Sequence, residues 1–409
     1  MYIKHYIIIF FLICTCNSYS QRQNHVFRIR TITAGITVKS LSDTAALNTA
    51  VDFLQKAKQE YIAKGYEVQT LRITTQNLHN YLNQTSYEEA LLFLVRFDKI
   101  AKRNNVILSI GQILPADKYQ TGIADWTIKL VRNTTAISFS LPISSPEKGI
   151  CFNSIKAASE IIFAISKEDG GEANFRFTAS ANCPAGIPFF PAAFHQGENS
   201  FALGLESANL INEAFKNSTR SNASQNLKIL FEKNLEPVQG MAEALSKKFN
   251  WQYNGIDVSP APELDASIGQ AIEEYTKQPF GNPSTLSACA LITDVLKNLS
   301  IKKCGYSGLM LPVIEDKVLA KRALEGRFNL QQLLLYSSVS GTGLDVIPLP
   351  GDTPKQVIAN ILIDVAALSL KYNSKALSAR LFLIPGKKAG EVVKFQNPYL
   401  TPCIVMNAD

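Results

Sequence analysis

Short apolar runs alternate along this chain with longer stretches whose apolar residues recur at helical spacing. Residues 26–35 (VFRIRTITAG) and 66–74 (YEVQTLRIT) have the β-branched composition of strands. Between them lies an amphipathic segment that Asp43 is placed to cap and that ends at Gly65. This strand, helix, strand order is typical of α/β proteins with largely parallel sheets.

The same pattern continues to the C-terminal region. Ser86 and Glu89 form a capping box for a helix that reaches Lys102, and a buried strand follows at 106–111. Further strands are predicted at 136–142, 174–180, 201–207, 255–262, 344–350 and 378–385. Further helices are predicted at 153–166, 227–248, 267–277, 284–299 and after Pro354.

A polar stretch at 216–226 (KNSTRSNASQN) divides the chain near its middle. It is short and lacks proline, so it favours two half-sheets in one domain over two separate domains. We therefore expect a single α/β domain over 21–409, with a first half at about 26–215 and a second at about 227–409.

The N-terminus has the pattern of a cleaved secretory signal. Lys4 precedes an apolar run from Tyr6 to Cys14, and Ser18 and Ser20 occupy the small-residue positions of a cleavage site. The run is too short to cross a bilayer, and no later segment reaches the roughly 20 apolar residues needed. Residues 1–20 are thus predicted to be removed, which leaves an exported periplasmic or secreted protein without a membrane span.

Composition and charge exclude several classes of protein. The chain is 46% hydrophobic and 18% charged, which is ordinary for a globular protein, and its net charge of +7 is mild. Basic runs interleaved with aromatic residues are missing, so nucleic-acid binding is not expected. The five cysteines beyond the signal are odd in number and widely spaced, which favours free thiols over one disulfide and speaks against structural zinc.

Arginines lie inside four of the predicted strands, which is unusual for such apolar segments. They are Arg30, Arg72, Arg176 and Arg380. Side chains alternate along a strand, so these arginines point inward if helices cover the outer face. An unpaired buried ion costs several kcal/mol, and a negative charge must therefore lie nearby.

Two sources could supply that negative charge. Carboxylates of the chain are candidates for a closed network of ion pairs: Glu206, Asp257, Glu315, Asp316, Asp345 and Asp352. Alternatively, the pairing is incomplete and an anionic small molecule completes it, bound by the arginine forks. We favour the second source, since ligand pockets form where loops meet strand ends. A divalent cation that bridges the carboxylates stays open, although no ligand spacing supports one.

The stretch 340–352 (SGTGLDVIPLPGD) combines glycines, prolines and two aspartates between two apolar helices. We expect Asp345 to enter a short strand and the prolines to form a rigid loop after it. The loop ends in Asp352, which is either a helix cap or a ligand-binding residue. Of the two aspartates, Asp345 is the better candidate for function.

A second loop, 182–195 (NCPAGIPFFPAAFH), has neither strand nor helix period. Because it is apolar, it must pack against other parts of the protein, for instance in the mouth of a barrel. It ends in His195, which suits acid–base chemistry at neutral pH or is a structural histidine.

The order of these motifs resembles the family called domain of unknown function 711, or uncharacterised protein family 0210. RIRTITAGI, NFRFTASANCPAGIPFFPAAFH, SGLMLPVIEDKVLA and GTGLDVIPLPGDT carry the resemblance, which extends from about Phe27 to Tyr399. It implies a ten-stranded α/β barrel of two five-stranded halves, similar to pyruvate formate-lyase, with helices outside and a loop threaded inside.

The resemblance also implies a context in amino acid or organic acid metabolism, because family members are often encoded near small amino-acid-binding regulatory proteins. Those members are typically cytoplasmic, and the predicted signal departs from them. Ser340 stands where the family's cysteine is expected, so a thiol nucleophile is missing there. Radical chemistry is not expected, since the C-terminal glycyl-radical segment and the paired barrel cysteines are absent, and no nucleotide-binding signature occurs.

These observations predict an exported enzyme that acts on a small anionic or carboxylate-bearing metabolite. The expected binders are Arg30, Arg72, Arg176, Arg380, Glu315 and Asp352, and the expected proton-transfer groups are His195, Asp257 and Asp345. The alternatives are a non-catalytic binding protein and an ion-paired scaffold on the same barrel. The sequence names no cofactor and leaves the oligomeric state open, a homodimer included.

Overall fold

The computed structural model describes residues 25–262, 265–371 and 375–408, so the predicted signal lies outside the described residues. The large sheet contains β1 (Arg28–Gly35), β2 (Val68–Thr74), β3 (Val106–Gln112), β4 (Ile137–Ser145), β5 (Gly149–Ile150), β6 (Phe177–Ala181), β7 (Ser200–Glu206), β8 (Gln252–Pro260), β9 (Gly343–Pro350) and β10 (Leu377–Ile384). A separate ladder pairs β11 (Val392–Val393) with β12 (Cys403–Ile404).

Helices cover the strands. They are α1 (Thr44–Ala63), α2 (Tyr87–Arg103), α3 (Ile123–Asn133), α4 (Phe152–Ile165), α5 (Ala208–Lys216), α6 (Ala223–Phe249), α7 (Ile268–Thr276), α8 (Thr285–Lys297), α9 (Lys317–Leu324), α10 (Leu330–Val339) and α11 (Lys355–Lys371). Two short 3-10 segments span Leu78–Asn80 and Asp169–Arg176. Helix α1 packs on β1 and β2, α6 on β8, and α11 on β10, which buries the apolar side chains between the layers.

Two groups of parallel strands make up the large sheet, whose order is β8-β7-β1-β2-β3-β4-β6-β10-β9 with β5 beside β4. The first strand group is β1, β2, β3, β4 and β6. The second strand group is β7 with β8 and β9 with β10, and it joins the first through antiparallel ladders at β1 and β6. Strand direction therefore reverses after β6, ahead of the polar stretch 216–226, which connects α5 and α6.

The ten-stranded sheet is not closed by a continuous hydrogen-bonded ladder. Its edges are β8 and β9, and the segment 302–313 makes one isolated parallel bridge with each of them, Ile256 with Lys303 and Pro312 with Asp345. The predicted α/β class is confirmed, whereas the closed barrel and its likeness to pyruvate formate-lyase are not.

The predicted strand 344–350 is confirmed as β9, whereas the rigid loop expected at Pro348 and Pro350 is wrong, because β9 continues through both prolines. Pro348 lies opposite Phe382 of β10 in the parallel ladder. Proline has no N–H to donate, and sheets accept it on edge strands. The two prolines thus mark the edge of the sheet, where the sequence had predicted both a strand and a rigid loop.

The predicted helix starts are confirmed. Ser86 accepts from the Glu89 backbone N–H, and the Glu89 carboxylate accepts from Ser86 N, which completes the capping box of α2. Asp43 accepts from Ala46 N at 3.2 Å at the start of α1. Local sequence therefore determines these two helix boundaries without help from distant residues.

Asp316 was a candidate counter-charge for the arginines, but the structure gives it a different role. Its carboxylate accepts from Val318 N and Leu319 N at the start of α9, and from Ile268 N at the start of α7. It also accepts from the Ser267 hydroxyl at 2.6 Å, and it is completely buried. One side chain therefore caps two helices.

We expect Asp316→Ala to lower the free energy of unfolding by about 2–3 kcal/mol, because it leaves buried N–H groups of two helices without acceptors. Urea denaturation measures the change. Asp43→Ala, which removes the single cap of α1, serves as the comparison and should cost about 1 kcal/mol. Equal losses in the two variants would contradict the double capping role.

Candidate functional site

A cavity of about 190 Å³ lies at the starts of the first-group strands and the ends of β7 and β8. Arg30, Arg72 and Arg380 project guanidinium groups to its wall, and Phe175, Phe189 and Phe190 supply most of the aromatic surface. We call it the arginine cavity. The prediction that strand arginines converge on an interior space is thus met by these three residues.

Arg380 is paired on two sides. Its Nε donates to Asp345 Oδ1 at 2.6 Å, and its Nη2 donates to Glu315 Oε1 at 3.0 Å. All three side chains are buried. Burial lowers the pKa of Arg380, but Asp345 and Glu315 outweigh it and the net shift is upward. Arg380 therefore belongs to a closed ion-pair network.

Glu315 extends this network to β1. Its other oxygen accepts from Arg30 Nη2 at 3.0 Å, so one carboxylate joins two arginines. Burial raises the pKa of Glu315, but Arg380 and Arg30 bring it below its ordinary value. The ion-pair reading of the sequence is correct for these residues.

Asp345 is fully buried beside Arg380 and is not part of the cavity wall. Its Oδ2 accepts no hydrogen bond from any described residue, and burial raises its pKa. The next residue, Val346, has φ of +47°, a strained conformation for a β-branched side chain. The geometry supports Asp345 as the counter-charge of Arg380, while its predicted part in proton transfer stays a prediction.

Arg72 differs from the other two arginines. Its Nη1 donates to Pro188 O at 3.3 Å, and its buried Nε has no hydrogen-bond partner within the described residues. No carboxylate of the described residues lies within ion-pair distance of it, and its Cζ lies 5.1 Å from the centre of the Phe190 ring. Burial, Arg30 and Arg380 lower the pKa of Arg72 to about 9.

The consequence is an uncompensated cation in a largely apolar cavity. At neutral pH a group with a pKa of about 9 is still charged, and no carboxylate of the described residues pairs with Arg72 directly. The more distant Glu315 and Glu206 therefore offset only part of the free-energy cost of burying its charge. An anion bound at its Nε and Nη2, which donate to no described residue, would offset that cost through charge-assisted hydrogen bonds. Arg72 is therefore the best candidate for ligand binding.

The loop 182–195 contributes the other wall of the cavity. Pro188, Phe189 and Phe190 line the cavity, and Phe189 packs edge-on against Tyr306 with 5.0 Å between ring centres. The Ser109 hydroxyl donates to Ala193 O at 2.7 Å and holds the returning part of the loop on β3. The predicted packing of this apolar loop is thus explained: its tip closes the arginine cavity.

The predicted position of Arg176 inside a strand is wrong, while its predicted part in ligand binding stays a prediction. Arg176 ends a 3-10 segment, and β6 begins only at Phe177. Its guanidinium donates to the carbonyls of Val131, Thr134 and Ile137 and to the Thr134 hydroxyl, at 2.5–3.0 Å. The carbonyls of Val131 and Thr134 lie at the C-terminal end of α3, and that of Ile137 begins β4. Arg176 borders the cavity, but its hydrogen-bonding capacity is used to cap a helix.

Asp257 also borders the arginine cavity, and its oxygens are occupied. It accepts from the backbone N–H groups of Ser259, Tyr306 and Ser307 and from the Ser259 hydroxyl. A Cβ on Gly305 would lie 2.1 Å from Asp257 Oδ2, so the segment approaches this carboxylate only with glycine at that position. Asp257 fastens the segment 302–313 to β8, and its predicted part in proton transfer stays a prediction.

His195 lies at the other end of β1. It packs against Gly35, five residues beyond Arg30 and hence about 16 Å along the strand. Its Nε2 lies 3.0 Å from Gly197 O and carries the proton, and its Nδ1 faces the Ser200 hydroxyl at 3.5 Å. Burial lowers its pKa. The structure does not bring His195 together with the arginines.

Asp352 is exposed in the turn after β9 and does not line the arginine cavity. Glu206, which the sequence offered as a candidate counter-charge, does lie beside an arginine. Its side chain is 2% exposed, it lies 3.9 Å from Arg30 Nη1, and burial raises its pKa to about 7. The signal for Glu206 in the sequence was a carboxylate at the end of the apolar run 201–207.

The five cysteines described are free thiols. Cys183 belongs to the loop 182–195, its Sγ lies 3.2 Å from the Tyr306 hydroxyl oxygen, and burial raises its pKa to about 12. A thiol with this pKa is protonated at neutral pH and is a poor nucleophile. Across the described ranges, no three His, Cys, Asp or Glu side chains converge as a metal site, and no helix there is long and apolar enough to cross a membrane.

The structure is that of a mixed α/β protein with a buried cavity lined by arginines. The model of the family "Uncharacterised ACR (DUF711)" matches residues 22–396, and the chain belongs to this family. This confirms the resemblance seen in the motifs.

Curated relatives carry the name UPF0210 protein. The one from Limosilactobacillus reuteri is 26% identical over 399 residues, covering 91% of this chain and 89% of its own. That of Halothermothrix orenii is 25% identical and covers 90% and 88%. A relative from Pyrobaculum aerophilum is 29% identical over 280 residues, which are 64% of this chain and 60% of its own.

Proposed function

We propose that this protein binds a small carboxylate-bearing molecule in the arginine cavity, with Arg72 as the main partner of the carboxylate. The observation that carries the proposal is that Arg72 lacks a carboxylate partner among the described residues, whereas Arg30 and Arg380 share Glu315. Arginine's planar fork suits bidentate recognition of a carboxylate.

The cavity also limits the rest of the ligand. Its volume of about 190 Å³ suits a metabolite of a few carbon atoms. Phe190 and Met310 line it next to Arg72, so an apolar or aliphatic body fits beside the carboxylate. Arg380 and Arg30 raise the local positive potential and favour an anion over its neutral form.

We further propose that the protein is an enzyme that converts the bound acid. An enzyme needs a proton-transfer group at the ligand, and Asp257 borders the cavity with a pKa raised by burial. Non-catalytic binding is the second candidate, favoured by the occupied oxygens of Asp257 and the distance of His195. Product analysis by mass spectrometry after incubation with a bound acid distinguishes the two.

The ligand proposal is tested by thermal unfolding of residues 21–409 with pairs of short acids and their amides, such as butanoate with butanamide. An acid at a hundred times its Kd adds about 2.7 kcal/mol to stability. We expect the midpoint of unfolding to rise by several degrees with the acid and to stay constant with the amide. A series in which no acid exceeds its amide would overturn the proposal.

The scaffold and the compartment complete the proposal. We propose that the segment 302–313 joins the edge strand β8 to the edge strand β9 and closes a barrel. The nine strands of the ordered path and this segment are then its ten strands, with β5 outside the ring, and the two isolated parallel bridges support the closure. We also propose export with cleavage after Ser20, on the basis of the N-terminal sequence pattern. N-terminal sequencing of protein recovered from the periplasm or medium tests the cleavage.

A further inference from the structure

A second cavity, of about 210 Å³, lies on the other side of Arg30. The two cavities share Arg30 and Tyr399, so they meet along these side chains. Glu206, Asp265 and Glu315 line the second cavity, which we call the acidic cavity. The wall is cationic on one side of Arg30 and rich in carboxylates on the other.

Glu206 is the carboxylate of the acidic cavity with the weakest pairing. It is buried, and by hydrogen-bond geometry no described residue donates to either of its oxygens. The nearby Gln69 side chain offsets only part of the upward shift of its pKa. Its cations are remote, with Arg30 Nη1 at 3.9 Å and Arg28 Nη1 at 4.0 Å.

Both of these cations have closer acidic partners. Arg28 lies 2.9 Å from Glu67, and Arg30 lies 3.0 Å from Glu315. Glu206 is therefore only partly compensated, and burial raises its pKa as its charge loses hydration. A buried carboxylate in this state is stabilised by a donor that brings its own positive charge.

Arg72 and Glu206 thus lie on adjoining cavities and carry opposite charges that are only partly paired. Arg72 would be stabilised by an anion, and Glu206 by a cation with N–H donors. We propose that the ligand is zwitterionic: its carboxylate binds Arg72 and its protonated amine donates to Glu206, with the chain between them passing Arg30 and Tyr399. This inference rests on the proposed function, because the ligand's carboxylate binds at the same place, Arg72. An ammonium group has three donors, which suits two carboxylate oxygens that accept no other strong bond.

The test compares ligands that differ only in the amine. Isothermal titration of residues 21–409 would use butanoate, butylamine and a series of amino acids from glycine to 6-aminohexanoate, with the amine at the α or the terminal position. We expect at least one amino acid to bind tenfold or more tightly than butanoate, and butylamine to bind more weakly than both.

Glu206→Gln should remove that advantage, because the amide carries no charge, while butanoate binds as tightly as before or more tightly. Glu213→Gln on the exposed face of α5 is the matched control and should keep the preference. The comparison of amino acids with butanoate is made in the unsubstituted protein, so it tests the proposal even if Glu206→Gln does not fold.

The outcomes separate the two proposals. Butanoate and all amino acids binding equally, or an amine preference that survives in Glu206→Gln, would overturn the zwitterion while leaving the carboxylate site in place. Binding of none of the acids would overturn the proposed function itself.

Discussion

Arg380→Met is expected to lower the free energy of unfolding by about 3–5 kcal/mol, the usual cost of removing one partner from a buried ion pair. The variant leaves Asp345 and Glu315 buried, and Asp345 then has no hydrogen-bonding cation at all among the described residues. Methionine fills much of the volume between Phe175 and Phe189, so the loss reports on charge more than on packing.

Urea denaturation of the variant and the unsubstituted protein measures this loss. Arg132→Met is the control, since Arg132 pairs with Glu168 at 2.8 Å but its side chain is 63% exposed. An exposed pair contributes at most about 1 kcal/mol. A loss for Arg380→Met no greater than that of the control would show that the buried network is not a source of stability.

Arg72→Met is expected to leave the stability of the protein intact and to weaken ligand binding. Because no carboxylate of the described residues pairs with Arg72, its removal leaves no protein charge unpaired, and the unligated protein should be as stable as before or more so. Binding of a carboxylate ligand should weaken by about a hundredfold, since a charge-assisted bidentate contact of about 3 kcal/mol is lost.

Titration of the acid that stabilises the unsubstituted protein most, together with urea denaturation of both proteins, measures the two effects. Arg72→Lys separates charge from geometry, and it should recover only part of the affinity because an ammonium group lacks the planar fork. Destabilisation of Arg72→Met as large as that of Arg380→Met would contradict the account, because it would place Arg72 in the closed network.

Much of the fold could be predicted because its signals are local. The capping box at Ser86 and the cap at Asp43 need only neighbouring residues, and the apolar runs recur at strand length. The strand 344–350 was predicted correctly, but a rigid loop was also expected at its prolines, because a proline is compatible with a loop or with an edge strand. Edge position depends on which strands pair, and that is decided far along the chain.

The site was predictable in kind but not in detail. Alternation along strands indicates that arginines face inward, and it holds for Arg30, Arg72 and Arg380. It cannot tell a paired arginine from an unpaired one, since the partners of Arg380 lie 35 and 65 residues away. Arg176 illustrates the other limit: one residue outside a strand, it caps a helix 42 residues earlier.

The positions of His195 and Glu206 relative to the arginines could not be predicted for a related reason. A residue's type suggests a chemistry, while its distance from the other groups depends on which strand end it occupies. His195 lies beside the end of β1 and Glu206 at the end of β7, which runs antiparallel to β1. The two residues therefore lie at opposite ends of the same pair of strands, and only Glu206 is near the arginines.

The central claim is that Arg72 binds the carboxylate group of a small ligand. The most direct measurement is a crystal structure of the protein with the acid that raises its unfolding midpoint most. We expect density for a carboxylate group in the arginine cavity, within hydrogen-bond distance of Arg72 Nε and Nη2. The ion pairs of Arg380 with Asp345 and Glu315 should be unchanged. Acid bound elsewhere, with Arg72 turned onto a protein carboxylate, would contradict the claim.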